Sequence, residues 1–334
     1  MPRHPSVPRR ELLKTGLALA AATLAPSTLL AQTELLTRPV PSSGVRLPIV
    51  GIGTNRFRTG DPAWNARLRE TLSTFARLGG KVVDTAPSYG DSERAIGAIL
   101  GETGLRNRIF LSTKLDRDTI EDGRQRLEAS FATLGTTRLD LVQLHNLRGA
   151  GTLLPLLREQ KAAGRIGHIG ITSSSASQYA EMEAIMRREA LDFIQVDYAV
   201  GNRGAEQRLL PLAAERGMAV LVNLPFGRGA QFRAVGGRPL PGWAAEIDCD
   251  SWAQVLLKYV LGNPAVTCAI PGSTQAAHVE DNLGAARGRL PPTSRTTSVP
   301  PAAGCRTRRC GRRWRVISTP SRTTEACSPT FSGR

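Results

Sequence analysis

The sequence predicts a single α/β domain in which eight strands alternate with eight helices. Short runs rich in Val, Ile and Leu recur between helical segments along residues 49–286. Three successive strand runs also end in a polar residue, in turn Asp84, Lys114 and His145. Apolar strands end in this way when they are parallel neighbours whose carboxyl ends meet at one pocket. Eight strand–helix units favour a closed barrel over an open sheet, so the predicted fold is a (β/α)8 TIM barrel.

Each element has its own signal in the chain. A hairpin, TRPVPSSGVRLP, is predicted to close the bottom of the barrel, and PIVGIGT is the first strand. Apolar residues at helical spacing over 64–78 predict the first helix, which Gly79 and Gly80 end. The segment 225–243 is predicted to be a long polar loop. Further helices are predicted over 92–100, 119–134, 153–163, 177–190, 205–216, 251–261 and 276–286.

The alternative architecture, an open doubly wound sheet, is excluded by a local motif. Its dinucleotide-binding turn requires the pattern Gly-x-Gly-x-x-Gly. Here Gly51-Ile-Gly53-Thr-Asn-Arg56 carries Arg56 in the position of the third glycine. Any dinucleotide must therefore be held in another way.

Length and charge divide the chain into three segments. The chain has 334 residues, whereas a barrel of this kind uses about 250. We expect an export signal over 1–31, the barrel over 35–289 and a tail over 290–334. The net charge of +16 suggests a nucleic-acid partner, but nine Arg against one Glu lie in the tail. The barrel is only mildly basic, so we expect no nucleic-acid partner.

The cysteines predict neither a disulfide framework nor a metal site. Their number, five, is odd. Cys249 and Cys268 are predicted to be buried thiols of the barrel. Cys305 and Cys310 lack a second cysteine pair or a nearby His, so no metal ion is expected.

The amino-terminal segment has the pattern of a secretion signal. Arg9-Arg10-Glu-Leu-Leu13-Lys14 precedes TGLALAAATLAPSTLLA, a modest apolar stretch with a small-residue end. The paired arginines favour the twin-arginine export machinery as a partner and a periplasmic location, with the cytoplasm as the location if the signal is not used. Pro26 and several Thr and Gly disfavour a stable membrane span.

The carboxyl-terminal segment departs from the rest of the chain. After Arg289 the composition changes abruptly to Pro, Ser, Thr and Arg, without helical or strand periodicity. This composition predicts disorder. We interpret 290–334 as a shifted reading frame or a degenerate extension, because it follows a regular alternation of strands and helices so sharply.

Four polar residues near the predicted strand ends suit proton transfer. A phenol has a pKa of about 10, and a neighbouring ammonium lowers that pKa by favouring the phenolate. Tyr89 beside Lys114 is therefore a candidate general acid, and Asp84 can meet the Lys114 charge in a closed site. His145 can donate a hydrogen bond to an oxygen on which negative charge develops. Such a site protonates a carbonyl oxygen, and a cofactor must supply hydride because no side chain does.

Together with their neighbours, these residues resemble the aldo-keto reductase family. The resemblance implies an eight-stranded barrel that binds an extended nicotinamide dinucleotide. It implies Tyr89 as proton donor, Lys114 and Asp84 as the groups that tune it, and His145 as the group that orients the carbonyl. The matching segments, in the family's order, are Gly51-Ile-Gly53-Thr54, Asp84-Thr-Ala-Pro-Ser-Tyr89-Gly90-Asp-Ser92-Glu93, Ser112-Thr113-Lys114, Gln143-Leu-His145-Asn146 and Ile270-Pro-Gly-Ser273.

The resemblance also implies the residues that bind the coenzyme. The carboxamide would contact Thr172, Ser173 and Gln195, with Thr172-Ser173 in place of the family's more usual Ser-Asn pair. Asn223 stands where many relatives have a Tyr that stacks on the nicotinamide ring. The full predicted set is Gly53, Thr54, Thr172, Ser173, Gln195, Asn223, Pro225, Arg228, Ser273, Thr274, His278, Asp281 and Asn282.

The phosphate and adenine contacts bear on the choice of coenzyme. Ser273 and Thr274 precede a helix, whose amino terminus offers free amides to a phosphate. In the family a Lys and an Arg bind the adenosine 2′-phosphate, and here Gly272 and His278 take their places. The loss of both cations weakens the preference for NADPH that the resemblance implies; NADP remains the expected coenzyme, with NAD as the alternative. The pair formed by Asp281 and Asn282 matches the residues that contact adenine.

Two functions fit these residues. The first is an NAD(P)H-dependent oxidoreductase, predicted to be a monomer, that acts on an aldehyde, a ketone or a sugar-like alcohol. The second is a cofactor-binding barrel with little turnover that serves as a regulatory or partner subunit. Taken singly, each catalytic candidate has an ordinary structural explanation; their joint order favours the enzyme. Trp243, in the long loop, is the predicted substrate-facing aromatic.

Overall fold

The computed structural model describes residues 34–291. The predicted export signal and all but the first two residues of the predicted tail lie outside this part of the chain. No helix within 34–291 has the length and the apolar composition needed to cross a membrane.

Strands and helices alternate along the described residues as the sequence predicts. The strands are β1 Thr37–Pro39, β2 Arg46–Pro48, β3 Ile52–Gly53, β4 Val82–Asp84, β5 Phe110–Leu115, β6 Leu139–His145, β7 Ile166–Ser173, β8 Phe193–Asp197, β9 Ala219–Asn223 and β10 Cys268–Ala269. The helices are α1 Pro62–Arg77, α2 Ser92–Thr103, α3 Ile120–Leu134, α4 Ala150–Ala162, α5 Tyr179–Arg188, α6 Leu209–Glu215, α7 Ala230–Val235, α8 Trp252–Leu261 and α9 Ala276–Gly284. Short 3-10 segments cover Leu105–Arg108, Ala176–Gln178, Gly204–Gln207, Gly227–Gly229 and Gly242–Ile247.

Strands β3 to β10 form the predicted barrel. They pair in parallel and in sequence order, from β3 to β10. Parallel bridges from Val50 to Ala269 and from Gly53 to Gly272 join the first strand to the last, which closes the sheet. The carboxyl ends of all eight strands therefore face one mouth of the barrel.

The hairpin of β1 and β2 lies at the opposite end. Its strands pair antiparallel, and its buried Leu47 packs with Phe110 and Phe193 from the starts of β5 and β8. His168 Nε2 of β7 also lies 2.9 Å from Ser43 Oγ in the hairpin turn. The prediction that this hairpin closes the bottom of the barrel is confirmed.

Capping residues fix where several helices begin and end. The side chains of Asp61, Thr119 and Ser251 each accept a hydrogen bond from the backbone N–H three residues later, which satisfies a donor that the helix itself leaves free. Gly104 and Gly135 end α2 and α3 with φ of 65° and 61°, a left-handed conformation that glycine adopts without strain. These local signals were readable from the chain.

The apolar core has two layers. One fills the lower barrel interior, and the other lies between the strands and the surrounding helices. Interior residues include Val82, Phe110, Leu141, Phe193, Leu221 and Cys268. Outer-layer residues include Leu72, Ile96, Leu127, Leu153, Ile171 and Leu257. Because apolar side chains fill the interior, the polar ends of the strands are left at the mouth.

One segment differs from its predicted loop. Residues 225–243 contain the helix α7, the 3-10 segment Gly227–Gly229 and the start of the 3-10 segment Gly242–Ile247. Gly229 and Gly236 flank α7 with φ of 83° and 60°. A helix of six residues has too few positions to show helical periodicity in the sequence.

Candidate active site at the barrel mouth

A buried ion pair joins the ends of two neighbouring strands. Lys114 Nζ on β5 donates to Asp84 Oδ2 at the end of β4, 2.6 Å away. It also donates to the backbone oxygen of Thr85 at 2.8 Å, and Ser112 Oγ donates to the other carboxylate oxygen of Asp84 at 3.0 Å. The two charged side chains are only 1% and 4% exposed. The pair therefore meets the desolvation cost of burial with direct charge contact and full hydrogen bonding.

The ammonium of Lys114 keeps its charge despite its burial. Burial by itself would lower the pKa of Lys114, but the Asp84 carboxylate and then the Tyr89 phenol outweigh that effect and raise the pKa. The site thus holds a fixed positive charge at neutral pH. A charge of this kind favours the ionised form of any phenol beside it.

Tyr89 lies between the ammonium and an imidazole. Its backbone N–H donates to Ala86 at 3.0 Å, in the turn that follows β4. Lys114 Nζ lies 5.0 Å from the centroid of the Tyr89 ring. The His145 ring lies edge-on to the same ring, with centroids 5.8 Å apart and planes 83° apart. The structure therefore brings together all four predicted catalytic residues.

His145, the last residue of β6, is uncharged at neutral pH. Burial, and secondarily the Lys114 charge, lowers the pKa of His145 to about 4. A neutral imidazole carries one N–H, so it can donate one hydrogen bond through one nitrogen and accept one through the other. Ser88 Oγ lies 3.1 Å from His145 Nδ1. Sequence reasoning missed Ser88, although its place directly before Tyr89 was a signal for it.

The cavity at the mouth has a volume of about 510 Å³. The predicted catalytic residues Asp84 and Tyr89 form part of its wall. Predicted coenzyme-binding residues on its wall are Gly53, Thr54, Asn223, Pro225, Arg228, Ser273, Thr274 and His278. Lining residues that sequence reasoning did not assign to the coenzyme are Asn55, Arg56, Leu224, Phe226, Gly229, Phe232, Ile270, Gly272 and Gln275.

The other predicted coenzyme residues are not among those that line the cavity. Thr172 and Gln195 are buried at 2% and 1% exposure. Ser173 Oγ donates to Gln178 Oε1 at 2.7 Å, so that hydroxyl already has a partner. Asp281 accepts a hydrogen bond from Gln254 at 2.9 Å, and Asn282 is 6% exposed.

Trp243, the predicted substrate-facing aromatic, does not line the cavity. It is 41% exposed, lies in the 3-10 segment Gly242–Ile247 and is not among the lining residues. Phe226 and Phe232 line it instead, with ring centroids 4.8 Å apart. Phe232, on the short helix α7, is also 41% exposed, but it lies on the cavity wall. Sequence reasoning lacked this helix and could not choose between the aromatics.

The cavity fits a nicotinamide dinucleotide. A Cβ at Gly53 would lie 2.9 Å from the Ile270 carbonyl oxygen, so this glycine lets the first and last strands of the barrel approach closely at the cavity. Arg56 and Arg228 also line the cavity, and their charge suits a pyrophosphate. Gln195 Nε2 is buried without a hydrogen-bond partner among residues 34–291, as expected of a donor reserved for a carboxamide.

The chain belongs to the aldo/keto reductase family, whose model matches residues 49–296. A methylglyoxal reductase of Escherichia coli is 28% identical over 250 residues, which cover 72% of this chain and 86% of that protein. The NADH-specific methylglyoxal reductase of the same organism is 28% identical over 239 residues, covering 62% and 72% respectively.

Solved structures have the same fold. An aldo-keto reductase from Klebsiella pneumoniae in complex with NADPH is 25% identical, with a TM-score of 0.66 over 77% of this chain and 92% of that one. The holo form of an aldo-keto reductase from Bacillus halodurans is 22% identical, with a TM-score of 0.64 over 81% and 98%. With the family established, the protein is an NAD(P)H-dependent carbonyl oxidoreductase, and the barrel prediction is confirmed.

Proposed function

We propose that this enzyme reduces small aldehydes and ketones with Tyr89 as the general acid. The observation that carries this proposal is the Lys114–Asp84 ion pair, 2.6 Å long, with its ammonium 5.0 Å from the Tyr89 ring. A buried, permanently charged ammonium makes the phenolate that remains after proton transfer less costly.

Each of the four residues has a distinct role in this proposal. Tyr89 gives its hydroxyl proton to the carbonyl oxygen and takes one back when the reaction runs towards the carbonyl. Lys114 holds positive charge beside the phenol, and Asp84 fixes the Lys114 ammonium in place. His145, neutral because of its low pKa, donates its N–H towards the carbonyl oxygen as charge develops there. A bound nicotinamide coenzyme supplies the hydride.

The coenzyme preference follows from the cations around the cavity. Gly272 and His278 provide no permanent positive charge where the family has Lys and Arg, whereas Arg228 lines the same cavity. We infer that the enzyme accepts both NADPH and NADH, with NADPH preferred through Arg228. Its relatives fit this range, because one is NADH-specific and a structural neighbour contains NADPH. Parallel equilibrium titrations with the two reduced coenzymes measure the preference directly.

The substrate class is small and compact. Two relatives reduce methylglyoxal, a three-carbon oxoaldehyde. Phe226 and Phe232 form an apolar wall on one side of the cavity, and Tyr89 lies on the same cavity surface. We infer that short aldehydes and oxoaldehydes are the preferred substrates.

Replacement of Tyr89 by Phe tests the function. The variant keeps the ring against Lys114 and removes only the hydroxyl that carries the transferable proton, so carbonyl reduction falls by roughly 10²–10⁴-fold, the usual contribution of a general acid. Coenzyme affinity, measured by fluorescence titration, stays near that of the wild type. Near-wild-type turnover in the variant contradicts the role of Tyr89. Tight coenzyme binding without measurable turnover in the wild type supports the regulatory barrel instead.

We propose in addition that the protein is exported as a folded monomer by the twin-arginine machinery. Support comes from Arg9-Arg10 and the apolar stretch after them, within residues that the structure does not describe. Cell fractionation and gel filtration of the native protein measure location and size.

We propose further that 290–334 is a shifted reading frame or a degenerate extension, because the composition breaks sharply after Arg289. Resequencing the end of the gene, together with mass spectrometry of the carboxyl terminus, tests this. A frame that holds, with the same tail found in the expressed protein, rejects the hypothesis.

A further inference from the structure

A buried amide oxygen near the active site makes no hydrogen bond within the described residues. Asn223 Oδ1, at the end of β9, is buried and lacks a hydrogen-bond partner in the described part of the chain. The orientation of this amide is set by its nitrogen, because Asn223 Nδ2 donates to the Ser173 backbone oxygen at 3.2 Å. A flipped amide would place two oxygens against each other. The unpartnered atom is therefore an acceptor.

A buried amide nitrogen on the neighbouring strand is also unpartnered. Gln195 Nε2 on β8 lacks a partner among residues 34–291. Gln195 pairs with Leu221 in the β8–β9 register, and Leu221 packs in the barrel interior. Side chains two residues apart on a strand point to the same face. Asn223 and Gln195 therefore both project to the inner face of the barrel, one from each of two adjacent strands.

The position of this pair relates it to the reacting groups. Asn223 lines the cavity together with Asp84 and Tyr89. Ser173, on the other side of β8, already donates its hydroxyl proton to Gln178 at 2.7 Å, so it has no second proton to donate to a ligand. Two buried, unpaired polar atoms in one small region are unusual, since leaving each without a partner costs free energy. An acceptor and a donor on one face are complementary to a primary carboxamide, which presents one oxygen and one amino group.

We propose that Asn223 Oδ1 accepts a hydrogen bond from the amino group of the nicotinamide carboxamide, while Gln195 Nε2 donates to the carboxamide oxygen. This inference rests on the proposed coenzyme-dependent function. Asn223 is then a positioning residue, because it fixes the rotation of the carboxamide and with it the seating of the ring at the barrel mouth. It also makes the site selective for a carboxamide over a ring substituent that lacks an amino group.

Binding measurements on a pair of coenzymes test this assignment without any turnover. The probes are NADP⁺ and its 3-acetylpyridine analogue, in which a methyl group replaces the amino group and the carbonyl oxygen is kept. Isothermal titration calorimetry of both probes is carried out on the wild type, Asn223→Ala and Gln195→Ala. Asn263→Ala is the matched control, since Asn263 caps the Ala265 N–H in the turn before β10, at the far end of the barrel.

The two probes separate the roles of the two amides. The wild type binds NADP⁺ about 5–30-fold more tightly than the analogue, which is the worth of one satisfied buried acceptor. Asn223→Ala weakens NADP⁺ binding by a similar factor. Its affinity for the analogue stays within about 2-fold of the wild-type value, because Asn223 makes no hydrogen bond to the methyl group of the analogue. Gln195→Ala weakens both probes, and Asn263→Ala changes neither.

Two contrary results separate this inference from the proposed function on which it rests. Equal affinity of the wild type for the two probes, or equal weakening of both by Asn223→Ala, overturns the role of Asn223 and leaves the proposed function intact. Failure of the folded wild type to bind NADP⁺ at all overturns the proposed function and this inference with it. If Asn223→Ala does not fold, Asn223→Leu, which fills the space without an acceptor, gives the same comparison.

Discussion

Two lysines of this chain are buried to the same degree but have different surroundings. Lys114 at the barrel mouth is 1% exposed, and Lys258 on α8, in the helical layer, is 0% exposed. Lys114 contacts the carboxylate of Asp84, and its pKa is raised above its ordinary value. Burial lowers the pKa of Lys258. Equal burial thus produces opposite shifts, because the hydrogen-bond partners of the two ammonium groups differ.

The partners of Lys258 are backbone carbonyls. Its Nζ donates to the oxygens of Ile247 at 2.6 Å, Arg287 at 2.7 Å and Arg289 at 3.0 Å. These carbonyls belong to the 3-10 segment Gly242–Ile247 and to the chain that follows α9. Neutral dipoles satisfy the ammonium but offset its desolvation less than a carboxylate does. Lys258 therefore connects the 3-10 segment Gly242–Ile247 to the residues that follow α9, whereas the charge of Lys114 acts on a neighbouring phenol.

The comparison shows that burial of a lysine is a poor sign of catalysis. What marks Lys114 as part of an active site is a charge partner together with a titratable neighbour at a cavity. The hydrogen-bond partners of Lys258 within residues 34–291 are backbone carbonyls, and no phenol is among them. Substitutions at the two positions should separate stability from activity.

The largest effect is expected for Lys114→Met. This variant leaves the Asp84 carboxylate buried without its counter-charge, a change that typically costs about 3–5 kcal/mol of stability. It also removes the charge that favours the phenolate of Tyr89, so turnover falls by about 10²-fold or more. Urea denaturation and steady-state rates measure the two losses. The double variant Asp84→Asn/Lys114→Met is the control, and we expect it to regain stability but not activity. A Lys114→Met variant with wild-type turnover would contradict the role of Lys114.

A smaller and different effect is expected for Lys258→Met. The apolar side chain leaves several buried carbonyls unsatisfied, which lowers the free energy of unfolding by about 1–3 kcal/mol. The turnover number and coenzyme affinity of the folded variant remain those of the wild type. Denaturation curves and rates at saturating substrate provide the measurement. A loss of turnover larger than the loss of folded protein would place Lys258 in the catalytic site after all.

The smallest effect is a pH dependence of stability that arises from His145. Its pKa is about 4 in the folded state, against 6.5 for an unperturbed imidazole. Above about pH 6.5 both states are neutral and His145 contributes nothing to the pH dependence. As the pH falls towards 4, the unfolded state binds a proton that the folded state does not, so stability decreases.

The variant His145→Gln isolates this contribution from that of the carboxylates. Between pH 7 and pH 5 its free energy of unfolding should fall by about 1–2 kcal/mol less than that of the wild type. Chemical denaturation at the two pH values provides the measurement. Identical losses in wild type and variant would show that the His145 pKa is ordinary.

Much of the fold and the catalytic group could be predicted because their signals are local. Strand runs, capping residues and the polar strand ends at Asp84, Lys114 and His145 all lie within short stretches of sequence. Parallel strands in sequence order then bring consecutive strand ends together without any further information. The substrate-facing aromatics were not predictable in this way, because the choice among Phe226, Phe232 and Trp243 depends on the position of the short helix α7.

The sequence by itself determined the barrel, the order of its strands and the placement of Asp84, Lys114 and His145 near the carboxyl ends of neighbouring strands. Only the tertiary structure decided how these groups are partnered: that Ser88 reaches His145, that the Ser173 hydroxyl is occupied, and that Asn223 keeps an unpaired oxygen. The physical reason is the distance along the sequence between the interacting residues. Periodicity and caps arise from neighbours along the chain, whereas the partner of a buried polar atom comes from whichever strand or loop packs against it.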